Sequence, residues 1–356
     1  MTRIQVADGR SHYDILIGDL SAALADIAGL ADGRLLPLVS DSTVYNLHGR
    51  KLATVAKVPP ILLPAGEVAK DWDSLRRLIG SLAERGVERG TPILALGGGS
   101  IGDVTGLAAA LYMRGNPVIH IPTTLLAQAD SAVGGKTAID SHGVKNLVGL
   151  FHTPSLVVVD PSFIDTLEYR QCVAGYAEIV KYGLIDDPDF FCWCELHGSA
   201  VLGGVAEVRN HAIAHCLNAK ARFVTADPEE RSGVRALLNL GHSFGHAIES
   251  AAGLGGLLHG EAVAIGMACA FRLSAMLRLC SEDDSDRVAA HLTSVGLPAR
   301  ISDTGVERRK LIDWMSLDKK NVGGKLTLVL MRGIGRAFID RSVERTVVAD
   351  FLLRAP

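Results

Sequence analysis

The run PILALGGGSIGDVTGLAAALYM, residues 92–113, reads as a strand, a glycine loop and a helix in direct succession. PILALG has the length and apolar content of a fully buried strand. The alanine- and leucine-rich segment from Asp103 has helical composition. Gly97, Gly99 and Gly102 stand in the spacing G-x-G-x-x-G. Glycines let a backbone approach a phosphate closely, and a helix N-terminus supplies free N–H groups and positive potential. Glycine turns after strands are common, so the spacing alone is weak; the order strand, loop, helix gives it weight.

On both sides of this unit, short apolar runs alternate with amphipathic segments. Strands are expected at 13–18, 35–40, 59–64, 92–97, 117–122 and 156–160, with helices such as 72–85 and 103–112 between them. That alternation predicts a Rossmann-like parallel sheet covered by helices. From about residue 172 the pattern turns helical, apart from a late β-like run, KLTLVLMRGIGRAFI, at 325–339. The expected architecture is α/β, with a nucleotide-binding domain over 1–171 and a mainly helical domain over 172–356. The active site is expected in the cleft between them. If NAD is the ligand, Asp41 at the end of LLPLVSD would hold its ribose, and would favour NAD over NADP. Asp41 precedes the loop, whereas the usual order puts the acid about 20 residues after it. Asp41 equally suits a helix cap before STV.

A chain of 356 residues exceeds the usual size of one core. The net charge of −3, without a long basic run, argues against nucleic acid as a principal partner. No apolar run has the length of a membrane span. The N-terminus reads as strand and turn rather than a secretory signal. Six cysteines are scattered without the common zinc spacings, and a reducing cytoplasm is the simplest compartment.

Metal-ligand types gather in the second half. LLNLGHSFGHAIE, residues 237–249, puts His242 and His246 on one face of a helix. LHGEAVAIGM, residues 258–267, adds His259, and AGYAEIVKYG, residues 174–183, adds Glu178. Two imidazoles and a carboxylate on separate helices suit an open catalytic zinc site. His211 and His215 have the same four-residue spacing but no neighbouring cluster, and read as structural or surface residues. ADSAVGGKTAIDSHGVKN, residues 129–146, is dense in polar groups. Together with Arg114, Lys220, Arg235 and the pair Lys319–Lys320, it could hold a substrate bearing a phosphate and a carboxylate.

The segments PAGEVAK (64–70), GGGSIGD (97–103), YMRGNPVIHIPTTLLAQADSAVGGKTAID (112–140), VKNLVGLF (144–151), AGYAEIVKYGLI (174–185), VRALLNLGHSFGHAIE (234–249), HGEAVAIGM (259–267) and SLDKKNVGG (316–324) occur in one order. In these the chain resembles the 3-dehydroquinate synthases from end to end. The resemblance implies the dehydroquinate synthase-like fold, NAD⁺, a divalent zinc or cobalt ion, and a cytoplasmic homodimer. It implies Glu178, His242 and His259 as metal ligands, with His246 facing substrate. Asp41, Gly66, Glu67, Lys70, Gly99, Ser100, Ile101, Gly102, Asp103, Thr123, Thr124, Lys136, Lys145, Phe163 and Thr166 fall where the family contacts NAD. Asp130, Lys136, Asn146, Lys181, Lys220, Arg235, Asn239, His246 and Lys319 or Lys320 fall at substrate positions. Arg114 matches an arginine lent across the dimer to the partner's site. The family usually has a glutamate four residues before Arg235; Arg231 stands there, leaving Glu229 or Glu230 as the substitute.

The implied reaction converts 3-deoxy-D-arabino-heptulosonate 7-phosphate into 3-dehydroquinate and phosphate. Transient oxidation at C5 acidifies C6, phosphate leaves, the hydride returns, and an intramolecular aldol closes the ring. The competing readings are a related cyclase acting on another phosphorylated sugar and a metal-dependent polyol or alcohol dehydrogenase. Arg235 with Leu238 and Asn239 suits a carboxylated substrate and weighs against the first. Dehydrogenases of this type commonly place aspartate where this chain has Glu178, and have no need of the Lys136–Asn146 cluster.

Overall fold

The computed structural model describes residues 1–7, 9, 12–253, 256–316 and 325–355. Two compact units emerge: Met1–Glu168 with Ala206–Glu229, and Tyr169–Val205 with Glu230–Pro356. A single cut after residue 171 does not describe this division. Helix Ala206–Ala226 packs on the first strand and on the turn Ala127–Ser131, so it belongs to the first unit.

The first unit is built on a sheet of seven strands. They are β1 (Thr2–Ala7), β2 (His12–Ile17), β3 (Leu38–Asp41), β4 (Ile61–Leu63), β5 (Ile93–Gly97), β6 (Val118–Pro122) and, after a separate hairpin of β7 (Lys136–Ser141) and β8 (Val144–Phe151), β9 (Leu156–Val159). The order is β1-β2-β9-β6-β5-β3-β4, and β1 alone runs antiparallel to its neighbour. Along β5, Ile93 and Ala95 join a core with Leu75, Leu78, Val104 and Leu107. Leu94 and Leu96 join the opposite core with Leu20, Ile27, Ile119 and Ile121. Burial on both faces is why these strands read as unbroken apolar runs. Each buried leucine or isoleucine contributes roughly 1.5–3 kcal/mol.

The connections from β3 and β5 lead in opposite directions, to β4 and to β6. This reversal opens a crevice beyond the carboxyl ends of β3 and β5, the general ligand position in open α/β sheets. Asp41 ends β3 and the glycine loop follows β5. The β7–β8 hairpin was not expected from the sequence. Its turn places His142 and Gly143 at φ 51° and 72°, the two left-handed positions of a type I′ hairpin. β8 is largely exposed although five of its eight residues are apolar, so burial does not mark it as a strand.

The second unit is mainly helical. Helix Tyr169–Asp186 is buried at every position from Cys172 to Ile185, as expected of a helix enclosed on all sides. Helices His242–Ala252 and His259–Met276 pack on one another and share a core with Leu326, Leu328, Leu330 and Phe351. The late β-like run forms an antiparallel hairpin of β10 (Lys325–Met331) and β11 (Ala337–Glu344).

Candidate metal centre and nucleotide crevice

The candidate metal centre is assembled from three helices of the second unit. Glu178 lies mid-way along the enclosed helix Tyr169–Asp186, while His242 and His259 are each the first residue of their helices. Backbone contact sets their separation. A Cβ on Gly260 would lie 1.8 Å from the carbonyl oxygen of Ala174, one turn before Glu178. A Cβ on Gly266 would lie 2.0 Å from the carbonyl oxygen of Gly241, directly before His242. Gly241 itself has φ 80°, the left-handed turn from which the His242 helix starts.

Glu178 is 1% exposed. Its Oε2 lies against the Lys181 ammonium, also 1% exposed. Its Oε1 makes no hydrogen bond with the described residues, and the Nε2 atoms of His242 and His259 stand 3.8 and 3.7 Å away. Donor atoms of these three residues all lie within 4.8 Å of one another, the only such group among the described residues. A buried carboxylate oxygen without a partner, facing two imidazole nitrogens beyond hydrogen-bond range, fits a divalent ion coordinated by all three. Burial, then Lys181, His259 and His246, hold the His242 pKa well below its usual value. The imidazole is therefore neutral, the form that ligates a metal. His242 Nδ1 meets the Leu240 carbonyl at 3.1 Å, which leaves Nε2 as the donor. His246 is exposed, with its ring 5.4 Å from that of His242 and 5.9 Å from that of His259. His211 and His215, with ring centroids 6.4 Å apart, join no such group among the described residues.

In the first unit, helix Gly99–Leu111 begins without a side-chain cap at Gly98, so its first amides stay open to an anion. The loop lies tight on its neighbours: a Cβ on Gly98 would meet Thr124 Cγ2 at 3.0 Å, and one on Gly97 would meet Ile101 Cβ at 2.6 Å. The Thr123 and Ser131 hydroxyls nearby are buried and make no hydrogen bonds with the described residues. These features fit a dinucleotide. Asp41 is 6% exposed and caps helix Ser42–His48, accepting from Val44 N at 3.0 Å. The capping role is thus filled by Oδ1.

Several expected cofactor and substrate residues converge here. Ser100 donates to Glu67 at 2.7 Å, Lys145 pairs with Glu67 at 3.6 Å, and buried Lys70 donates to Asp103 at 2.5 Å and to Asn146. Burial opposes the Lys70 charge, but Asp103 and Glu67 outweigh it and raise the pKa. Gly66, at φ 75°, starts the turn that carries Glu67. Lys136 opens β7 and is exposed. Lys220 donates to Asp130 Oδ1 at 2.8 Å and to its carbonyl at 2.7 Å. Asp130 lies on a π-helical turn, Ala127–Ser131, a form frequent at functional sites.

Other expectations land differently. Phe163 is 1% exposed, its ring tilted 4.4 Å from that of His48, and Thr166, itself exposed, bonds to that histidine at 2.9 Å. Lys181 touches a metal-ligand candidate. Arg235 is 1% exposed in the turn Arg235–Asn239, and Asn239 donates to Glu230 at 2.5 Å. Of the two candidate glutamates, Glu230 thus reaches this turn, from a backbone at φ 57°. Arg114 follows the glycine-loop helix, which stops at Leu111. It is exposed at φ 66°, after Met113 at φ 49°. Lys319 and Lys320 lie outside the described residues. Sequence reasoning missed Glu249, which meets His259 Nδ1 at 3.3 Å.

Comparison with known proteins joins these observations. The family models described as 3-dehydroquinate synthase N-terminal and C-terminal match residues 60–174 and 175–321. The 3-dehydroquinate synthase of Zymomonas mobilis is 52% identical over 298 residues, covering 83% of this chain and 79% of its own. That of Rhodospirillum rubrum is 47% identical over 364 residues, covering 99% and 94%. Among solved structures, a 2-epi-5-epi-valiolone synthase from Streptomyces hygroscopicus, with NAD⁺ and Zn²⁺ bound, is 30% identical. Its TM-score is 0.87, with 99% of this chain and 98% of that one covered. A protein described as a probable glycerol dehydrogenase from Sinorhizobium meliloti, 16% identical with a TM-score of 0.64 over 95% of each chain, shares the fold alone. The protein belongs to the 3-dehydroquinate synthase family, enzymes that eliminate phosphate from a sugar phosphate.

Proposed function

We propose that this protein converts 3-deoxy-D-arabino-heptulosonate 7-phosphate into 3-dehydroquinate and phosphate, as a cytoplasmic homodimer using NAD⁺ and one zinc or cobalt ion. The observation that carries the reading is the buried carboxylate oxygen of Glu178 facing His242 and His259. When bound, NAD⁺ supplies reversible hydride transfer and the metal supplies polarisation of a substrate oxygen. The open amides at the start of helix Gly99–Leu111 hold the dinucleotide phosphates, and Glu67, Lys70 and Asp103 hold the rest of it in place. His246, exposed beside both ligand imidazoles, contacts substrate rather than metal. Arg235 and Asn239 take the carboxylate, with Glu230 fixing the Asn239 amide. Lys136, Asn146 and Lys220 receive the phosphate, and Asp130 orients the Lys220 ammonium. The departing phosphate takes the C6 proton.

The lyase reading has a simple test. With the heptulosonate phosphate and catalytic NAD⁺, phosphate should accumulate over many turnovers with no growing absorbance from free NADH. One NADH per turnover would instead identify a dehydrogenase.

Arg114 completes the partner's site in this reading. It is exposed, ion-pairs with none of the described residues, and is held out by two successive left-handed residues. Mixing inactive Arg114→Ala with inactive Lys136→Ala should restore activity, because one site of the mixed dimer keeps both native residues. Verified mixed dimers that stay inactive would place Arg114 in its own subunit's service.

A further inference from the structure

The outer side of the metal triangle distinguishes its two histidines. His242 has a side chain only 14% exposed, and its Nδ1 meets a carbonyl two residues back in its own chain. Packing and local backbone together fix its ring. The His259 side chain is 33% exposed, at the first position of its helix, where neither restraint operates so strongly. What its Nδ1 meets is Glu249 Oε2, at 3.3 Å, from a residue 5% exposed on the neighbouring helix His242–Ala252. The contact runs away from Glu178, so Nε2 is left facing Glu178 Oε1 at 3.7 Å.

We propose that Glu249 is a positioning residue for the metal, acting through His259. A carboxylate beside Nδ1 keeps the proton on that nitrogen, and so keeps the Nε2 lone pair toward the ion. It also increases the donor strength of Nε2, because negative charge on the far side of the ring opposes loss of electron density to the metal. Glu249 and His242 share one helix, so that helix supplies one ligand directly and orients another on the next helix. The proposal rests on the reading of Glu178, His242 and His259 as ligands.

The test is zinc affinity of the metal-stripped protein, by competition with a chromogenic chelator, at a temperature where circular dichroism shows every sample folded. Glu249→Gln keeps the shape and an acceptor but removes the charge, and should bind zinc about tenfold more weakly; Glu249→Ala should approach a hundredfold. The visible absorption band of cobalt in Glu249→Gln should also shift, which loosened packing elsewhere would not cause. Zinc binding by Glu249→Gln within threefold of the native protein overturns the proposal. If that variant does not fold, Glu249→Asp, one methylene too short to reach Nδ1, is read by the same criterion. A native protein that takes up no divalent ion would instead refute the ligand assignment itself.

Discussion

Gly260→Ala is expected to leave the protein without its metal. The new Cβ would lie 1.8 Å from the carbonyl oxygen of Ala174. A carbon–oxygen contact relaxes at about 3.3 Å, so the two backbones must part by about 1.5 Å. No side-chain rotation relieves the overlap, because both atoms belong to rigid helix backbones. The displaced helices are those carrying Glu178 and His259. Metal–ligand distances tolerate only about 0.2 Å, so the triangle opens beyond coordination. Overpacking of this kind also costs about 1–3 kcal/mol of stability. Metal analysis of the purified variant should show an empty site and no turnover. A soluble Gly260→Ala protein with one ion per chain would show that this contact does not set the ligand spacing.

Lys181→Met should destabilise the metal-free protein by about 3–5 kcal/mol, the usual cost of removing one partner from a buried ion pair. Lys181 and Glu178 are each 1% exposed and touch directly, so the change leaves a carboxylate in an apolar setting. Two comparisons separate this cause from lost packing. Adding zinc should recover more stability in Lys181→Met than in the native protein, because the ion then neutralises Glu178. Glu178→Gln combined with Lys181→Met should be more stable without metal than Lys181→Met alone, because no charge remains buried. Denaturant unfolding of the native protein, Lys181→Met and the double variant, all metal-stripped, with the first two repeated after zinc addition, gives both answers. If the double variant is no more stable than Lys181→Met, the penalty is packing rather than charge.

How far the sequence could be read follows from where its signals originate. The parallel strands were legible because burial on both faces demands unbroken apolar runs such as PILALG. The glycine loop was legible because its conformation is local. The β7–β8 hairpin was hidden: β8 is exposed along most of its length, and the polar run 129–146 that covers β7 and the turn reads as a binding segment. His142–Gly143, with both residues in the left-handed region, was the signal available there. Helix Ala206–Ala226 could not be assigned to a unit from its pattern, since docking on β1 is a long-range event. The candidate ligand trio, which the structure brings together, was legible because each residue sits in a largely apolar segment, where a polar side chain needs a reason. Glu249 was not, because its partner His259 belongs to the following helix.

The role given to the histidines is open to one direct measurement: metal content of His242→Ala and His246→Ala, purified identically. The triangle of Glu178, His242 and His259 requires that His242→Ala be empty. It also requires that His246→Ala carry about one ion per chain and yet lack turnover, since three protein ligands suffice for an open catalytic site. An empty His246→Ala beside a loaded His242→Ala would contradict the assignment and move the metal one turn along the same face of the HSFGH helix, to His246.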